Sequence, residues 1–475
     1  MPLPVISVAQ MREWEERTWA SGVSAESVMK NAGEAVAKRA GDLAEPDEPL
    51  ILFLIGKGNN GGDARIAAEV FTSEDVICRI QKLEVHDGTE TLPDLSDVSL
   101  VVDGLFGIGL NRDLSVDWRD FISKLNDATQ RLRIPVLAVD VPSGLDADTG
   151  QPRGAAVRAD YTLTFGAPKT GLILECASEY VGQLEVAAEI GLIDPPSLGE
   201  LRWIDADDFK RFVPKRAASA HKGTFGHVGI IAGSTGYHGA AVLAARAAAC
   251  SGVGLVSVFT SAYAPVAAQL QTAMVHPWDE NVIRTLSACT AVVIGPGLAG
   301  PDVPESLRQV AVNLWRESEN PIVVDANALE WIANEPIPEN AVRVVTPHPG
   351  EAARLLETTA GNIQSDRVQA MRKVSAICGG AITVLKGRHT LIGAFEGPMS
   401  INGTGNPHLA QGGSGDVLAG HLGGWLARGD LESTADAICA QAVWRHGAAA
   451  DRLATNRNAL SLEALITVLA GDFHC

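Results

Sequence analysis

Two glycine-rich segments toward the C-terminal end carry residue types suited to group-transfer chemistry. Asn402-Gly403-Thr404-Gly405-Asn406 is followed by Gly412-Gly413-Ser414-Gly415-Asp416 and then by the apolar Val417-Leu418-Ala419-Gly420. A glycine-rich turn that opens a helix presents unpaired amide N–H groups and the positive end of the helix dipole. Those groups stabilise a phosphoryl group in transfer, and an Asp at the helix start is placed to accept a hydroxyl proton as a kinase base does. An isolated Gly-Asp pair is more often a loop with a capping Asp, so the weight rests on its companions. Lys386-Gly387-Arg388-His389-Thr390 follows an apolar run and suits the phosphates and base of a nucleotide. Thr346-Pro347-His348-Pro349-Gly350-Glu351, Gly295-Pro296-Gly297 and Asp325-Ala326-Asn327-Ala328-Leu329 each follow another.

A second group lies in the first half. Leu50–Ile55 runs into Gly56-Lys57-Gly58-Asn59-Asn60-Gly61-Gly62-Asp63, where amides of backbone and side chain make an anion cradle at a strand-to-helix turn. It matches neither the Walker pattern nor GxGxxG. Asp103-Gly104-Leu105-Phe106-Gly107-Ile108-Gly109-Leu110 and Asp140-Val141-Pro142-Ser143-Gly144-Leu145-Asp146 close two further apolar runs. Carboxylates at adjacent strand ends can jointly hold a cation or move protons. Each alone is equally a cap or turn residue; three together favour a pocket.

The elements that must position these groups are short, continuous apolar strands. They are expected at Leu50–Ile55, Leu100–Val102, Val136–Val139 and Tyr161–Phe165, then at Val228–Ile231, Leu255–Phe259, Ala291–Ile294, Ile322–Val324, Val342–Val345 and Ala381–Leu385. Such strands alternating with helical patterns predict parallel sheets covered on both faces, with ligands beyond the carboxyl ends of the strands. Asp194-Pro195-Pro196-Ser197-Leu198-Gly199 breaks structure and Asp205-Ala206-Asp207-Asp208 looks like a fresh helix start. The boundary between Asp194 and Lys215 predicts two α/β domains, residues 1–200 and 205–475.

The 475 residues are too many for one core, and 46% hydrophobic with 20% charged residues excludes wholesale disorder. A net charge of −19 with no Lys/Arg run argues against nucleic acid and anionic membranes. Local amides and one or two lysines still suffice for an anionic nucleotide. Seven dispersed cysteines without a CxxC pair suggest reduced thiols. With no signal-like start and no long apolar run, a cytoplasmic protein is expected.

The C-terminal motifs, with His221-Lys222-Gly223-Thr224-Phe225-Gly226-His227 and Gly233-Ser234-Thr235-Gly236-Tyr237-His238-Gly239-Ala240, resemble the ribokinase-like superfamily. Within it they are similar to the ADP- or ATP-dependent NAD(P)H-hydrate dehydratases, over about Phe209 to Leu469; Ser414 stands where that family usually has Thr. The resemblance implies that Asp416 activates the hydroxyl of the hydrated nicotinamide ring for phosphorylation, after which loss of phosphate restores NADH or NADPH. It implies that Ala240, Gly297, His348 and Asp416 face the hydrate, that Lys386, Gly387, Arg388, His389, Thr390 and Gly415 face the adenine nucleotide, and that Mg2+ takes part.

The trio of the first half, with Met29-Lys30-Asn31-Ala32-Gly33, Ala159-Asp160-Tyr161-Thr162-Leu163-Thr164-Phe165 and Pro168-Lys169, resembles the NAD(P)H-hydrate epimerase family. This resemblance covers about Ile6 to Asp194 and implies a Rossmann-like three-layer α/β/α fold before a ribokinase-like α/β domain. Fusion of the two is a known family arrangement. It implies that Asn59, Asn60, Gly61, Gly62 and Asp63, the run Gly107, Ile108, Gly109, Leu110, Asn111, Arg112 and Asp113, and Asp140 contact the hydrate. Asn60, Asp103 and Ser143 would hold K+, and Asp140 would be the acid/base. NADHX or NADPHX and an adenine nucleotide are the expected partners, in a homo-oligomer.

Two positions depart from the family pattern: Ala64 replaces the usual Gly, and Lys57 stands where a small residue or Pro is common. If position 64 needed φ > 0, Ala would cost about 1 kcal/mol or more; in a helix it is favourable. The helical case is expected. The competing readings are a kinase that stops at a phosphorylated small alcohol, and a first domain that only binds or scaffolds.

Overall fold

The computed structural model describes residues 2–44, 49–73, 78–212, 218–279, 282–428, 434–454 and 460–471; Lys215 and Cys475 lie outside them. The chain divides into two compact units, Leu3–Gly199 and Glu200–Cys475.

The first unit is built on a six-stranded sheet. Its order is Arg79–Glu84, Leu50–Ile55, Val98–Gly104, Val136–Val139, Tyr161–Phe165 and Gln183–Ala187, every pair parallel. Alternate residues of one strand face opposite layers. Ile51, Phe53 and Ile55 pack under the helices Ala25–Leu43 and Asn59–Ser73 with Val36, Ala64 and Ala67. Leu52 and Leu54 pack under Val116–Leu132 with Phe121, Ile122 and Leu125. Burial on both faces explains why the central strands are continuously apolar.

In the second unit the strands run Leu201–Ile204, Met399–Asn402, Thr390–Gly393, Ile382–Leu385, Arg343–Val345, Ile322–Val324, Ala291–Ile294, His227–Ile231, Leu255–Thr260 and Met274–Pro277. From Ile382–Leu385 to the Met274–Pro277 edge every pair is parallel, and Ile382–Asn402 forms an antiparallel meander. The expected apolar strands are present within a residue or two. The others, such as Arg79–Glu84 and Thr390–Gly393, carry too mixed a pattern to stand out.

The helix Ser414–Leu426 is central to this unit, with every residue from Val417 to Leu426 buried. It crosses His238–Cys250 so closely that a Cβ on Gly420 would lie 2.0 Å from the Ala244 carbonyl oxygen. Two histidines are sealed here, one on this helix and one on its neighbour. His421 Nε2 accepts the Trp425 indole N–H at 3.1 Å, and His446 lies on the neighbouring helix Ala435–Ala454. Burial drives their pKa values down, to about 3 and about 4, so both are neutral. Six cysteines are free thiols, and among the described residues no helix is long and apolar enough to cross a membrane.

Candidate active sites

In the first unit the strand Leu50–Ile55 turns through Gly56 to Gly58, and the helix starts at Asn59, earlier than a turn reaching Asp63 would have it. Asn59 to Asp63 are thus the first helical residues. The close packing here requires glycine: a Cβ on Gly61 would lie 2.0 Å from the Gly56 carbonyl oxygen. Ala64 is helical and fully buried, with its methyl against Gly104, where an added Cβ would come within 2.4 Å of it.

Asp103, Ser143 and Asn60 meet around the Phe106 peptide. The Ser143 hydroxyl donates to Asp103 Oδ1 at 2.6 Å and its N–H to Oδ2 at 2.8 Å. Ser143 Oγ accepts the Phe106 N–H at 2.8 Å, while Asn60 Nδ2 donates to the Phe106 carbonyl at 2.9 Å. Burial raises the Asp103 pKa to about 6 against the opposing pull of the Ser143 hydrogen bonds. Gly107 to Asp113 continue from Phe106 as a loop, with Asn111, Arg112 and Asp113 exposed.

Asp140, at the end of Val136–Val139, has φ 62°, a left-handed conformation that Asp tolerates better than most residues. Its carboxylate is held by Lys169 Nζ at 2.6 Å, Thr164 Oγ1 at 3.0 Å and the Phe165 N–H at 3.2 Å. All three donors reach Oδ1, leaving Oδ2 without a protein donor among the described residues. Lys169 is fully buried and also donates to Thr164 Oγ1 and the Phe165 carbonyl, both at 2.9 Å. Two more carboxyls border this pair. Asp63 is 7% exposed; burial first, then the charges of Asp140 and Glu15, raise its pKa to about 8. Glu15, on the helix Val8–Ala20, is shifted upward by burial and by Asp140. Sequence reasoning quoted Lys169 without a role and missed Glu15, because nothing local in either motif signals the other.

In the second unit three strand ends and a helix start converge. Lys386, after Ile382–Leu385, places Nζ 2.8 Å from Asp325 Oδ1 and 3.7 Å from Glu351 Oε2. Burial opposes its charge, but Asp325 and Glu351 outweigh that and hold its pKa above the ordinary lysine value. Asp325 Oδ1 also accepts the Thr346 hydroxyl at 2.7 Å. Gly413, with φ 102°, is the N-cap of Ser414–Leu426, so Gly415 and Asp416 lie in its first turn. A Cβ on Gly415 would stand 3.4 Å from Lys386 Nζ. The pKa of Asp416 is raised to about 7 by burial and then by Asp325 and Glu351, partly offset by Lys386. A carboxyl half-ionised near neutrality, beside a fixed ammonium and free helix amides, is equipped to take a hydroxyl proton during phosphoryl transfer.

His348 caps Pro349–Leu355: its Nδ1 accepts the N–H groups of Gly350 at 3.0 Å and Glu351 at 3.3 Å. Partial burial lowers its pKa, and with Nδ1 accepting, the neutral ring carries its proton on Nε2. Gly297 and Ala240 are neighbours, a Cβ on Gly297 falling 2.8 Å from that of Ala240. Lys386 to Thr390 form a tight connection between antiparallel strands, with Gly387 at φ 134° and His389 at φ 52°. The His389 ring packs edge-on against Trp203, centroids 5.5 Å apart. Asp325 and Glu351, quoted in their motifs without roles, prove to be the partners of Lys386.

A family model described as NAD(P)H-hydrate dehydratase matches residues 228–469, and one described as YjeF-related protein N-terminus matches residues 25–86 and 78–171. The chain is 36% identical to the bifunctional NAD(P)H-hydrate repair enzyme of Coxiella burnetii, with 94% of each chain covered. It is also 36% identical to the enzyme of that name from Escherichia coli, over 91% of this chain and 86% of that one. A ribokinase-like superfamily protein of Enterococcus faecalis is 26% identical, with a TM-score of 0.51, over 58% of this chain and 97% of its own. These matches extend across both units and both clusters of polar strand-end residues, so the chain belongs to the family of bifunctional NAD(P)H-hydrate repair enzymes.

Proposed function

We propose that residues 1–200 interconvert the R and S hydrates of NADH and NADPH, and that residues 205–475 dehydrate the S form with ADP or ATP. The observation that carries the dehydratase half is the cluster of Asp416, Lys386, Asp325 and Glu351 at the start of the helix Ser414–Leu426. Asp416 takes the proton of the hydrate hydroxyl as that oxygen bonds to the terminal phosphorus of the nucleotide and the bridging P–O bond breaks. Lys386 and the amides of Gly415 and its neighbours steady the charge in transit. Phosphate then leaves from carbon, and loss of a ring proton restores the double bond. Ala240, Gly297 and the Nε2–H of His348 orient the hydrate, and Lys386 to Thr390 with Gly415 line the nucleotide.

Mg2+ neutralises phosphate charge in such transfers. Among the described residues no three His, Cys, Asp or Glu side chains gather as a metal cage, and Asp325 and Glu351 already face Lys386. The nucleotide phosphates are therefore the main ligands we assign to it. The all-oxygen set of Asp103, Ser143 and the Asn60 amide oxygen suits a hard monovalent cation, and we assign K+ there with a role in shaping the hydrate pocket. In that unit Asp140 is the acid/base, and Asn59 to Asp63 with Gly107 to Asp113 contact the hydrate. A cytoplasmic setting, in keeping with the free thiols, and a homo-oligomer complete the reading.

The test supplies mixed hydrate epimers with ADP or ATP and follows the reduced cofactor and free phosphate. Recovery of nicotinamide absorbance with stoichiometric phosphate is expected. An accumulating phosphoester instead would make the second unit a small-molecule kinase.

A further inference from the structure

The pocket around Asp140 holds more ionisable groups than one acid/base needs. Asp140 is tied through Oδ1 to Lys169, and that ammonium has all its protons engaged. Asp63 enters from the helix Asn59–Ser73 and is 7% exposed, yet no cation or hydrogen-bond donor reaches its carboxyl among the described residues. It is the fifth residue of that helix, where the help a helix terminus gives an anion has faded. The charges acting on it are Asp140 and, from the helix Val8–Ala20, Glu15, which Asp140, Lys169 and Arg12 border in turn. The packed helix Ala25–Leu43 brings Met29 against Gly62 and Gly33 against the Asp63 backbone, and its Lys30–Glu34 pair is exposed.

Hydration of an enamine places the hydroxyl on the carbon beside nitrogen, because that carbon is cationic when the nitrogen lone pair assists. Inverting this centre requires the C–O bond to break and re-form on the other face. A hydroxide leaves poorly, so the departing oxygen needs a proton from a group that still holds one at neutral pH. An ion-paired carboxylate cannot supply it; an unpaired buried carboxyl can.

We propose that Asp63 is the proton donor of the epimerisation and Asp140 its base, an inference that rests on reading the first unit as an epimerase. The Asp63 proton goes to the hydroxyl oxygen as the C–O electron pair leaves with it, forming water, while the ring nitrogen lone pair forms C=N+. Water then bonds to the opposite face of the carbon and loses its proton to Asp140 Oδ2. A proton passed from Asp140 to Asp63, directly or through water, resets the pair. The upward shift of the Asp63 pKa keeps the donor loaded under ordinary conditions.

The experiment compares full-length wild type, Asp63→Asn and Asp140→Asn for interconversion of separated R and S hydrates between pH 6 and 9, in excess of the enzyme-free rate. Dehydration of the S hydrate by the same preparations checks their folding. Wild-type interconversion should fall as pH rises through about 8. Asp63→Asn should lose about 10²–10⁴-fold and with it that alkaline limb. Infrared spectra of wild type should show a protonated-carboxyl band near neutrality that titrates away near pH 8 and is absent in Asp63→Asn. If Asp63→Asn interconverts epimers at the wild-type rate while Asp140→Asn does not, or the band is missing, Asp63 is not the donor although the unit is an epimerase. If wild type itself matches the enzyme-free rate, the epimerase reading fails and this inference with it.

Discussion

Asp416 joins rate and stability in one carboxyl. Its pKa is about 7 in the folded chain against an ordinary 3.8, so the folded state holds a proton that the unfolded state has released. Stability therefore falls as pH rises across that window, and the base becomes competent over its upper end. Dehydration should rise with pH through about 7. Asp416→Asn should lose about 10²–10⁴-fold of it. The same variant should melt higher than wild type at neutral pH, because the amide carries no suppressed ionisation. Normal turnover in a folded Asp416→Asn preparation would remove it from the base role. Gly415→Val puts branches against the Lys386 ammonium, so calorimetry should show weakened nucleotide binding while epimerisation is unchanged.

The helix Asn59–Ser73 decides how a family glycine came to be replaced. Ala64 is helical, buried and packed into the space left by Gly104, so the replacement adds contact rather than strain. Ala64→Gly should lower stability by about 1 kcal/mol, from helix propensity alone, without raising the epimerisation rate. A faster variant in the separated-epimer assay would show that Ala64 impairs the site. Elements buried on both faces announced themselves in the sequence, because Leu50–Ile55 or Ala291–Ile294 admits no polar residue. The edge strand Arg79–Glu84 sets Ile80 and Leu83 among Arg79, Gln81, Lys82 and Glu84 and did not. The same contrast holds for side chains. Asp140 stands at a strand end in the run Asp140-Val141-Pro142-Ser143-Gly144 and Asp416 at a helix start after Gly412-Gly413-Ser414-Gly415, where a motif exposes them. Lys169 and Glu15 reach the Asp140 pocket from 29 residues downstream and from a separate helix, a proximity that only the fold creates.

For the molecule as a whole, each unit has its own sheet, its own core and its own cluster of strand-end polar groups. The two activities should separate by mutation. Asp140→Asn should abolish enzymatic interconversion and spare dehydration of the S form. Given mixed epimers and nucleotide, wild type should convert nearly everything in one fast phase. The variant should show a fast phase equal to the S fraction, then a slow one set by spontaneous epimerisation. A wild type already biphasic with that slow rate would leave the first unit without its assigned activity.

The sealed histidines of the helices Ser414–Leu426 and Ala435–Ala454 set an order of failure in acid. Unfolded histidine takes up a proton near 6.5, whereas His421 and His446 stay neutral down to about 3 and about 4 while folded. The second unit therefore loses stability through these two as pH falls below 6.5; His227 and His348 add to the loss, while the buried carboxyls Asp416, Asp205 and Asp451 oppose it, four imidazoles against three carboxyls. Asp63 acts in the reverse sense on the first unit, whose folded form gains as pH drops from about 8 toward 4. Calorimetric scans from pH 7 to pH 4.5 should show one melting transition sliding to lower temperature while the other holds or rises. A chain soured briefly and assayed at once would then interconvert the hydrates it could no longer repair.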